Sequence, residues 1–304
     1  YIVSKNSLDP KVDIKYWRLE VDGLVENPLT FDYEQLKKLP AVAQYLTLEC
    51  ISNPVGGDQI GNALWKGVRM RDLLLQAGAK SSAIKVVLYG EDEYSDSIAL
   101  SKAMEEGTLL AYEMNGETLT NGHGFPVRLL VPGIYGMKNV KWLTRIELVD
   151  YDYRGYWQER GWSDLAAIKT MSRIDVPAGR ESGLSFLELM DLFTTPEEEE
   201  RELKIEQDSA LLGGIAFAGD RGISQVEVST DDGQTWNKAQ VKEALSPYTW
   251  VLWVYDWRPP GEGKLTIKVR AADSKGNLQP SEPADPLPDG ASGYHSIVVR
   301  LVKE

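Results

Sequence analysis

The segment "LTLECISNPVGG", residues 46–57, holds the only cysteine of the 304-residue chain, Cys50. A cysteine can be an activated nucleophile when a histidine lies beside it, and the sequence offers His123 and His295 for such a pair. Its thiolate can instead be a soft ligand for a metal. A third interpretation is a small buried apolar side chain with no chemical role.

The neighbourhood of Cys50 favours a ligand. The apolar run "YLTL" before it is typical of a strand, and the proline- and glycine-rich "ISNPVGG" after it is typical of a loop. We therefore expect the sulfur to lie where a strand ends and a ligand can reach it. One thiolate cannot hold a metal alone, so we expect a metal at Cys50 to arrive inside a cofactor that brings its other ligands.

A second segment, residues 121–142, could hold an anionic part of such a cofactor. Its glycines allow the backbone to approach a ligand closely, and basic side chains and free N–H groups suit a phosphate. Its basic residues are His123, Arg128, Lys138 and Lys141. The alternative is a buried strand with solvated charges at its ends.

The elements that must position these residues mix strands with short helices in the first part of the chain. Residues 70–78 predict a helix closed by Gly78, and Thr30 with Glu34 could cap another helix. A third helix is expected to begin near residue 101 and end at Gly107. Strands are predicted at 16–25, 84–90 and 125–133. This pattern predicts an α+β domain over residues 1–168.

The pattern changes after residue 168. Short alternating runs at 213–219, 224–236, 249–257, 264–273 and 295–302 are separated by turn residues, with a tight-turn signal at Asp232–Gly233. They predict a β-sandwich over residues 169–304. Between the two patterns, residues 188–202 predict a short helix and then an acidic connection around Glu197–Glu200.

Composition excludes several classes of function. The formal net charge of −13 argues against nucleic acids and anionic membrane surfaces as partners. One cysteine excludes an internal disulfide framework and an iron–sulfur cluster, and no run of 18 apolar residues occurs. Because the sequence begins with Tyr1 rather than Met, we expect a signal peptide, a membrane anchor or further domains before it, and a trimmed export signal is compatible with an extracytoplasmic protein.

Several segments resemble the sulfite oxidase family of molybdenum enzymes. "LTLECISN" is similar to the family's segment with the metal-ligating cysteine, and residues 109–148 resemble its longest block. Residues 60–74 are similar to the turn and helix that follow the cysteine. "VSKNSLDP", residues 3–10, is similar to an N-terminal Arg-Asn-His-x-x-Pro segment. Residues 226–236, 248–257 and 270–280 resemble the family's immunoglobulin-like domain, which forms the dimer contact in some members.

The resemblance implies a molybdenum ion held by the dithiolene of a molybdopterin that carries a terminal phosphate. Cys50 would then be the protein's metal ligand and its catalytic residue. The residues that match the family's cofactor-binding positions are Lys5, Asn6, Cys50, Asn53, His123, Arg128, Lys138, Asn139 and Lys141.

The sequence also departs from the sulfite-oxidising members. "PVGG" stands where those members have arginines, and Ile215 stands where they have a tyrosine beside the metal. Ser7 replaces the N-terminal histidine, and Lys138 stands where arginine is usual, which loses the bidentate fork. A small dianion is therefore expected to bind less well, unless Arg221 compensates.

The function that these residues predict is molybdenum-dependent oxygen-atom transfer on a small substrate. We expect a separate electron-transfer partner, because the chain shows no haem, flavin or cluster motif, and a homodimer formed through the C-terminal domain. A reductase of S-oxides or N-oxides on the same scaffold is the first alternative. A non-catalytic binding or structural module is the second. The aromatic segment 151–162 could line a substrate entrance or pack between the domains.

Overall fold

The computed structural model describes residues 1–177, 200–205 and 210–303. The chain divides into two compact units. The first comprises residues 1–53, 58–168 and 285–290, and the second comprises residues 54–57, 169–284 and 291–304. No helix in the described part of the chain is both long enough and apolar enough to cross a membrane.

Strands dominate the first unit, all of whose residues the structure describes. Its three α-helices have only five, eight and four residues. The α+β prediction therefore gave helices too large a share. In chain order the elements are β1 (Leu19–Gly23), β2 (Leu29–Phe31), α1 (Tyr33–Lys37), β3 (Ala41–Glu49), β4 (Ile60–Arg69), α2 (Met70–Ala77), β5 (Lys85–Gly90), β6 (Ser95–Ala99), α3 (Leu100–Ala103), β7 (Leu109–Met114), β8 (Glu117–Thr118), β9 (Arg128–Leu130) and β10 (Leu143–Val149).

Two sheets enclose the core of the first unit. One has the order β2-β1-β10-β5-β6, in which β1 and β10 are parallel. The other runs β3-β4-β7-β8, and β9 pairs with β7. Buried side chains from both sheets and from α2, such as Leu19, Leu88, Leu73 and Leu110, form one apolar cluster. Burial of each such side chain stabilises the unit by about 1.5–3 kcal/mol.

The helix signals were only partly located by sequence. Helix α2 is confirmed, and Gly78 closes it in the left-handed conformation with φ of 69°. Helix α1 is capped by Asp32 and Gln35, not by the expected Thr30 and Glu34. Thr30 lies within β2 and pairs with β1, so Asp32 is the residue free to act as a cap.

The long β3–β4 hairpin positions Cys50 directly after β3. The two strands stay paired from Ala41 with Val68 to Glu49 with Ile60. At the end of this ladder the Cys50 N–H donates to the Gln59 carbonyl at 2.9 Å. The predicted arrangement of a strand followed by a loop at the cysteine is therefore present.

The described strands of the second unit are β11 (Met171–Val176), β12 (Glu200–Ile205), β13 (Ala210–Phe217), β14 (Ile223–Ser229), β15 (Asn237–Lys238), β16 (Gln240–Val241), β17 (Val251–Trp257), β18 (Gly263–Asp273) and β19 (His295–Lys303). They form two sheets, β11-β13-β17-β16 and β12-β19-β18-β14-β15. Buried side chains of both sheets, including Ile174, Trp253, Val228 and Ile267, form one cluster. Of the segment 188–202, which predicts a short helix and then an acidic connection, residues 188–199 lie outside the described residues, and Glu200 begins a strand.

Two contacts of the second unit bear on the sequence predictions. Asp232 and Gly233 both have positive φ, 60° and 92°, as the tight-turn signal implied, although the connection from β14 to β15 is longer than two residues. His295 Nδ1 accepts a hydrogen bond from the Ile174 N–H at 2.9 Å. In this fold His295 therefore secures strand β11.

Candidate cofactor site

A cavity of about 280 Å³ lies in the first unit and gathers most of the predicted site residues. Two of its glycines allow close approach: a Cβ at Gly136 would lie 2.6 Å from the Tyr1 hydroxyl, and one at Gly122 would lie 3.2 Å from the Ile2 Cδ1. Six predicted residues line the cavity: Lys5, Cys50, His123, Arg128, Asn139 and Lys141. Asn6, Asn53 and Lys138 do not line it.

The Cys50 side chain is a free thiol, 8% exposed, at one wall of this cavity. Its Sγ lies 3.0 Å from the Ser52 Oγ, which in turn donates to the Gln59 Oε1 at 3.1 Å. The sulfur thus faces the cavity, and a hydroxyl touches it from the loop. This placement suits a ligand that receives its metal from the cavity.

Asn53 shapes the same loop from behind. Its Nδ2 donates to the Glu49 Oε1 at 3.1 Å, and its Oδ1 accepts from the Gln59 N–H at 3.0 Å. The side chain is buried and ties the two ends of the hairpin together. In this structure Asn53 therefore acts on the cavity by positioning Cys50, and direct contact with a cofactor stays a prediction.

Arg128 opens β9 with its guanidinium deep in the unit. Its two terminal nitrogens donate to the carbonyls of His123, at 3.2 Å, and Asn139, at 3.4 Å. Its Nε has no hydrogen-bond partner among the described residues. Burial lowers the pKa of Arg128 to about 10. A buried cation with a free donor is a site for an anion.

Lys141 extends this positive region, and His123 lines the same cavity. Burial and the nearby Arg128 lower the pKa of Lys141 to about 8, and the same two causes lower the pKa of His123. The Lys141 ammonium donates to the Ser4 Oγ at 2.7 Å and the Gly122 carbonyl at 3.0 Å. Within the described chain, no carboxylate lies within 4.0 Å of Arg128 or Lys141. The cluster carries positive charge that the protein leaves uncompensated at close range.

The N-terminal segment borders the same cluster. The Lys5 ammonium donates to the Asp92 carbonyl at 2.8 Å and lies 5.2 Å from the centre of the Tyr156 ring. Asn6 donates to the same carbonyl at 3.3 Å but lies outside the cavity lining. The segment that resembles the family's N-terminal motif is therefore held beside the cavity through Asp92.

Lys138 has a different environment from the other basic residues. Its ammonium is buried and bonds to the Asp96 Oδ1 at 2.8 Å, the Ser97 carbonyl at 2.7 Å and the Asp164 Oδ1 at 3.4 Å. These partners satisfy all three of its donors. A role for Lys138 toward a phosphate stays a prediction, and its observed role is structural.

The side chain of Asn139 also forms hydrogen bonds within the fold. Its Oδ1 accepts from the Val131 N–H at 2.7 Å, and its Nδ2 donates to the Tyr135 carbonyl at 3.1 Å. What remains for the cavity is its backbone, whose carbonyl already accepts from Arg128. Asn139 therefore shapes the turn that places the cavity wall.

Sequence reasoning missed two cavity residues, Tyr1 and Trp142, and offered two others only as one of two alternatives for the aromatic segment. Tyr1 was not considered, yet burial and the neighbouring Cys50 raise the pKa of its phenol. Trp142 stands at the end of the basic segment and lines the cavity. Trp157 and Trp162, from the aromatic segment 151–162, line it too. The signal for the last two was the clustering of aromatics directly after the basic block.

Two departures noted in the sequence fall in the second unit. Ile215 is buried within β13. Arg221 forms an ion pair with Asp273, at 3.0 Å from Nε to Oδ2, and donates to the Thr170 hydroxyl at 3.2 Å. Compensation for the missing arginines by Arg221 would have to use a guanidinium that already has these partners.

Comparison with known proteins identifies the family. Residues 6–157 match the family model "Oxidoreductase molybdopterin binding domain", and residues 186–299 match "Mo-co oxidoreductase dimerisation domain". Mitochondrial sulfite oxidase of Mus musculus is 32% identical over 305 residues, covering 89% of this chain and 54% of that protein. The chain belongs to the sulfite oxidase family. The resemblance predicted from the sequence is confirmed.

The chain is also similar to a second sulfite oxidase and to a nitrate reductase. Mitochondrial sulfite oxidase of Drosophila melanogaster is 28% identical over 96% of this chain and 57% of its own length. Nitrate reductase [NAD(P)H] of Hordeum vulgare is 29% identical over 92% of this chain and 36% of its own length. The chain thus spans little more than half of the mitochondrial sulfite oxidases that it matches.

A solved structure has the same fold. Sulfane dehydrogenase SoxCD of Paracoccus pantotrophus superimposes with a TM-score of 0.76 and 23% sequence identity. The match covers 97% of this chain and 80% of that chain. A sulfite-oxidase-type fold, composed mostly of strands, is therefore established for the described residues.

The residues of the cavity fit the molybdenum cofactor. The Arg128 Nε is a buried donor without a partner among the described residues, as expected where an anionic group binds. Arg128 and Lys141 supply uncompensated positive charge for a phosphate, and Cys50 supplies a soft sulfur for the metal. The cofactor predicted from the sequence agrees with both the family and the donor set.

Proposed function

We propose that this chain is a molybdenum cofactor-dependent oxidoreductase that transfers an oxygen atom to or from a small substrate, as a sulfite oxidase does. The observation that carries the proposal is the shared cavity, where the Cys50 thiol meets the uncompensated cations Arg128 and Lys141. When bound, the molybdenum cofactor supplies a two-electron centre that exchanges an oxygen atom with the substrate. Electrons leave or enter through a separate electron-transfer partner.

The protein's own residues have three tasks in this proposal. Cys50 ligates the metal as a thiolate, held at the end of β3 by the hydrogen bond to Gln59. Arg128 and Lys141 bind the anionic end of the cofactor, where their positive charge lacks a close carboxylate, and His123 lines the cavity beside them. Trp157 and Trp162 form apolar wall and exclude water from the reacting centre.

The test is molybdenum content by elemental analysis on protein from a cofactor-competent host, beside Cys50→Ser. Near-stoichiometric molybdenum in the wild type, with altered metal spectra in the variant, supports the proposal. A folded wild type without molybdenum and without released pterin contradicts it. That result would favour the non-catalytic module instead.

Reduction of S-oxides or N-oxides is a second candidate, favoured by the lining of the cavity. Arg128 is the one arginine among the described lining residues, whereas Trp142, Trp157 and Trp162 contribute three aromatic surfaces. A cavity with one arginine suits a less charged substrate better than a dianion. Steady-state assays with sulfite and an electron acceptor, against dimethyl sulfoxide or trimethylamine N-oxide and a reductant, separate the two directions.

We further propose that the second unit is an immunoglobulin-like sandwich that joins two copies of the chain. The matched dimerisation family model supports this, and so does an exposed apolar face on the sheet β11-β13-β17-β16. Gly213 pairs with both Val176 and Val254, so these two lie on one face, and Leu211 and Leu252 lie two residues along the same strands. All four apolar side chains are exposed.

Light scattering tests this face. The double variant Leu252→Asp with Val254→Lys is expected to change a dimer into a monomer, whereas Leu278→Asp, an exposed leucine away from that face, is expected to leave it unchanged. A wild type that is monomeric at high concentration contradicts the dimer.

An extracytoplasmic location, proposed from the family resemblance, is tested by cell fractionation of the native protein.

A further inference from the structure

The loop after Cys50 contains a hydroxyl in direct contact with the sulfur. The Ser52 Oγ lies 3.0 Å from the Cys50 Sγ and 3.1 Å from the Gln59 Oε1. Ser52 lines the same cavity as Cys50, only two residues along the chain. The contact is therefore a property of the site itself.

The frame around this hydroxyl is fixed by backbone hydrogen bonds. The Cys50 N–H donates to the Gln59 carbonyl at 2.9 Å, and the Asn53 N–H donates to the Cys50 carbonyl at 3.1 Å. The Gln59 N–H is held in turn by the Asn53 Oδ1 at 3.0 Å. Ser52 thus lies in a tight turn whose two ends are tied together, and its hydroxyl lies between the Cys50 sulfur and the Gln59 amide oxygen.

Proton counting decides what the hydroxyl does when the cysteine ligates a metal. With a thiol, the S–H can donate to the Ser52 Oγ while the hydroxyl donates to the Gln59 Oε1. A ligating thiolate has no proton, so the Sγ can only accept. The hydroxyl has one proton, which it can donate either to the sulfur or to the Gln59 amide oxygen. Because a charge-assisted hydrogen bond is stronger, the negatively charged sulfur is the favoured acceptor.

We propose that Ser52 is a positioning residue that donates a hydrogen bond to the Cys50 sulfur when this sulfur binds molybdenum, and thereby raises the redox potential of the metal. The inference rests on the proposed function. A donor to a ligating sulfur withdraws electron density from it, which favours the reduced metal. Gln59 is the competing acceptor that limits the strength of this hydrogen bond.

The experiment is a redox titration of molybdenum-loaded protein, followed by the electron paramagnetic resonance signal of the intermediate oxidation state. Ser52→Ala is expected to lower the midpoint potential and to change the g-values of the signal. Ser52→Thr keeps the hydroxyl and is expected to restore both. Ser95→Ala is the matched control, because it removes a hydroxyl that contacts the Tyr153 hydroxyl at 2.8 Å and does not line the cavity.

A second variant keeps the inference testable if Ser52→Ala loads poorly. Gln59→Leu removes the competing acceptor and is expected to raise the potential, because among the described residues the sulfur is then the one close side-chain acceptor left for the hydroxyl. A loaded Ser52→Ala protein with the wild-type potential, or a Gln59→Leu protein whose potential does not rise, overturns the inference alone. A wild type that binds no molybdenum overturns the proposed function, and this inference with it.

Discussion

Lys138 and Lys141 stand three residues apart in one segment, yet the fold treats them in opposite ways. The Lys138 ammonium is buried against Asp96, at 2.8 Å, and Asp164, at 3.4 Å. The Lys141 ammonium has only a hydroxyl and a carbonyl as hydrogen-bond partners among the described residues. A segment rich in basic residues therefore divides into a part that holds the protein together and a part that faces the cavity.

Electrostatics explains why the difference matters. A buried cation is costly unless a partner compensates its charge. Lys138 has that partner within the protein. At Lys141 the cost is visible as a pKa lowered to about 8, caused first by burial and then by Arg128. An anion bound in the cavity would remove this cost. We therefore expect the charge of Lys141 to favour anion binding, whereas the charge of Lys138 stabilises the fold through Asp96.

The largest expected effect comes from Lys138→Met. Removing the ammonium leaves the Asp96 carboxylate buried without its cation, which typically costs about 3–5 kcal/mol. We expect the free energy of unfolding of the cofactor-free protein, measured by urea denaturation, to fall by about this amount. A loss below about 1 kcal/mol would show that the Lys138–Asp96 pair is dispensable for folding and would contradict a structural role for Lys138.

The converse substitution, Lys141→Met, should weaken binding without weakening the fold. No carboxylate is left unpaired and a costly buried cation is removed, so the unfolding free energy of the cofactor-free protein should not fall and is expected to rise. Loss of a charged hydrogen bond to a phosphate, worth about 1.5–3 kcal/mol, should lower cofactor affinity by about tenfold or more. Pterin retained after dialysis measures this effect. Full retention in the variant would contradict a role for Lys141 in binding.

The smallest expected effect is a pH dependence. The pKa of Lys141 is about 8 in the folded protein, below the ordinary value of about 10.4 for lysine. Between these values the unfolded chain binds more protons, so this group makes the cofactor-free protein more stable as pH rises from about 8 to 10. Cofactor binding should weaken over the same range, because the phosphate favours the charged form.

The difference in urea midpoint between wild type and Lys141→Met, followed from pH 7 to 10, isolates this contribution from other titrating groups. The Lys141→Met protein lacks the titrating ammonium, so it serves as the reference for the pH dependence of all other groups. A difference that stays constant with pH would mean that Lys141 keeps its ordinary pKa.

Sequence reasoning recovered the local features of this molecule better than the distant ones. The strand before Cys50, helix α2 and its Gly78 cap are encoded by adjacent residues, and they were predicted correctly. The role of Lys138 depends on Asp96 and Asp164, which lie 42 and 26 residues away in the chain. No spacing rule within residues 121–142 could have separated Lys138 from Lys141.

The cavity shows the same limit. Cys50 and Arg128 were predicted because the segments that hold them resemble a known family, not because any pattern placed them 78 positions apart in one space. Ser52 was passed over, since a serine in a loop carries no signal until its distance to the sulfur is known. Tyr1 was missed for the same reason: its environment is created by Cys50, Arg128 and Glu49, all remote in sequence.

Because Cys50 is the only thiol of the chain and faces the cavity, a covalent thiol reagent can have a single target. Intact-mass spectrometry after alkylation under denaturing and native conditions would therefore count, molecule by molecule, how many copies present a free sulfur. A sulfur bound to metal resists the reagent and an unbound one gains one adduct. The fraction of Cys50 that resists alkylation under native conditions therefore measures cofactor loading, without a label and without knowledge of the substrate.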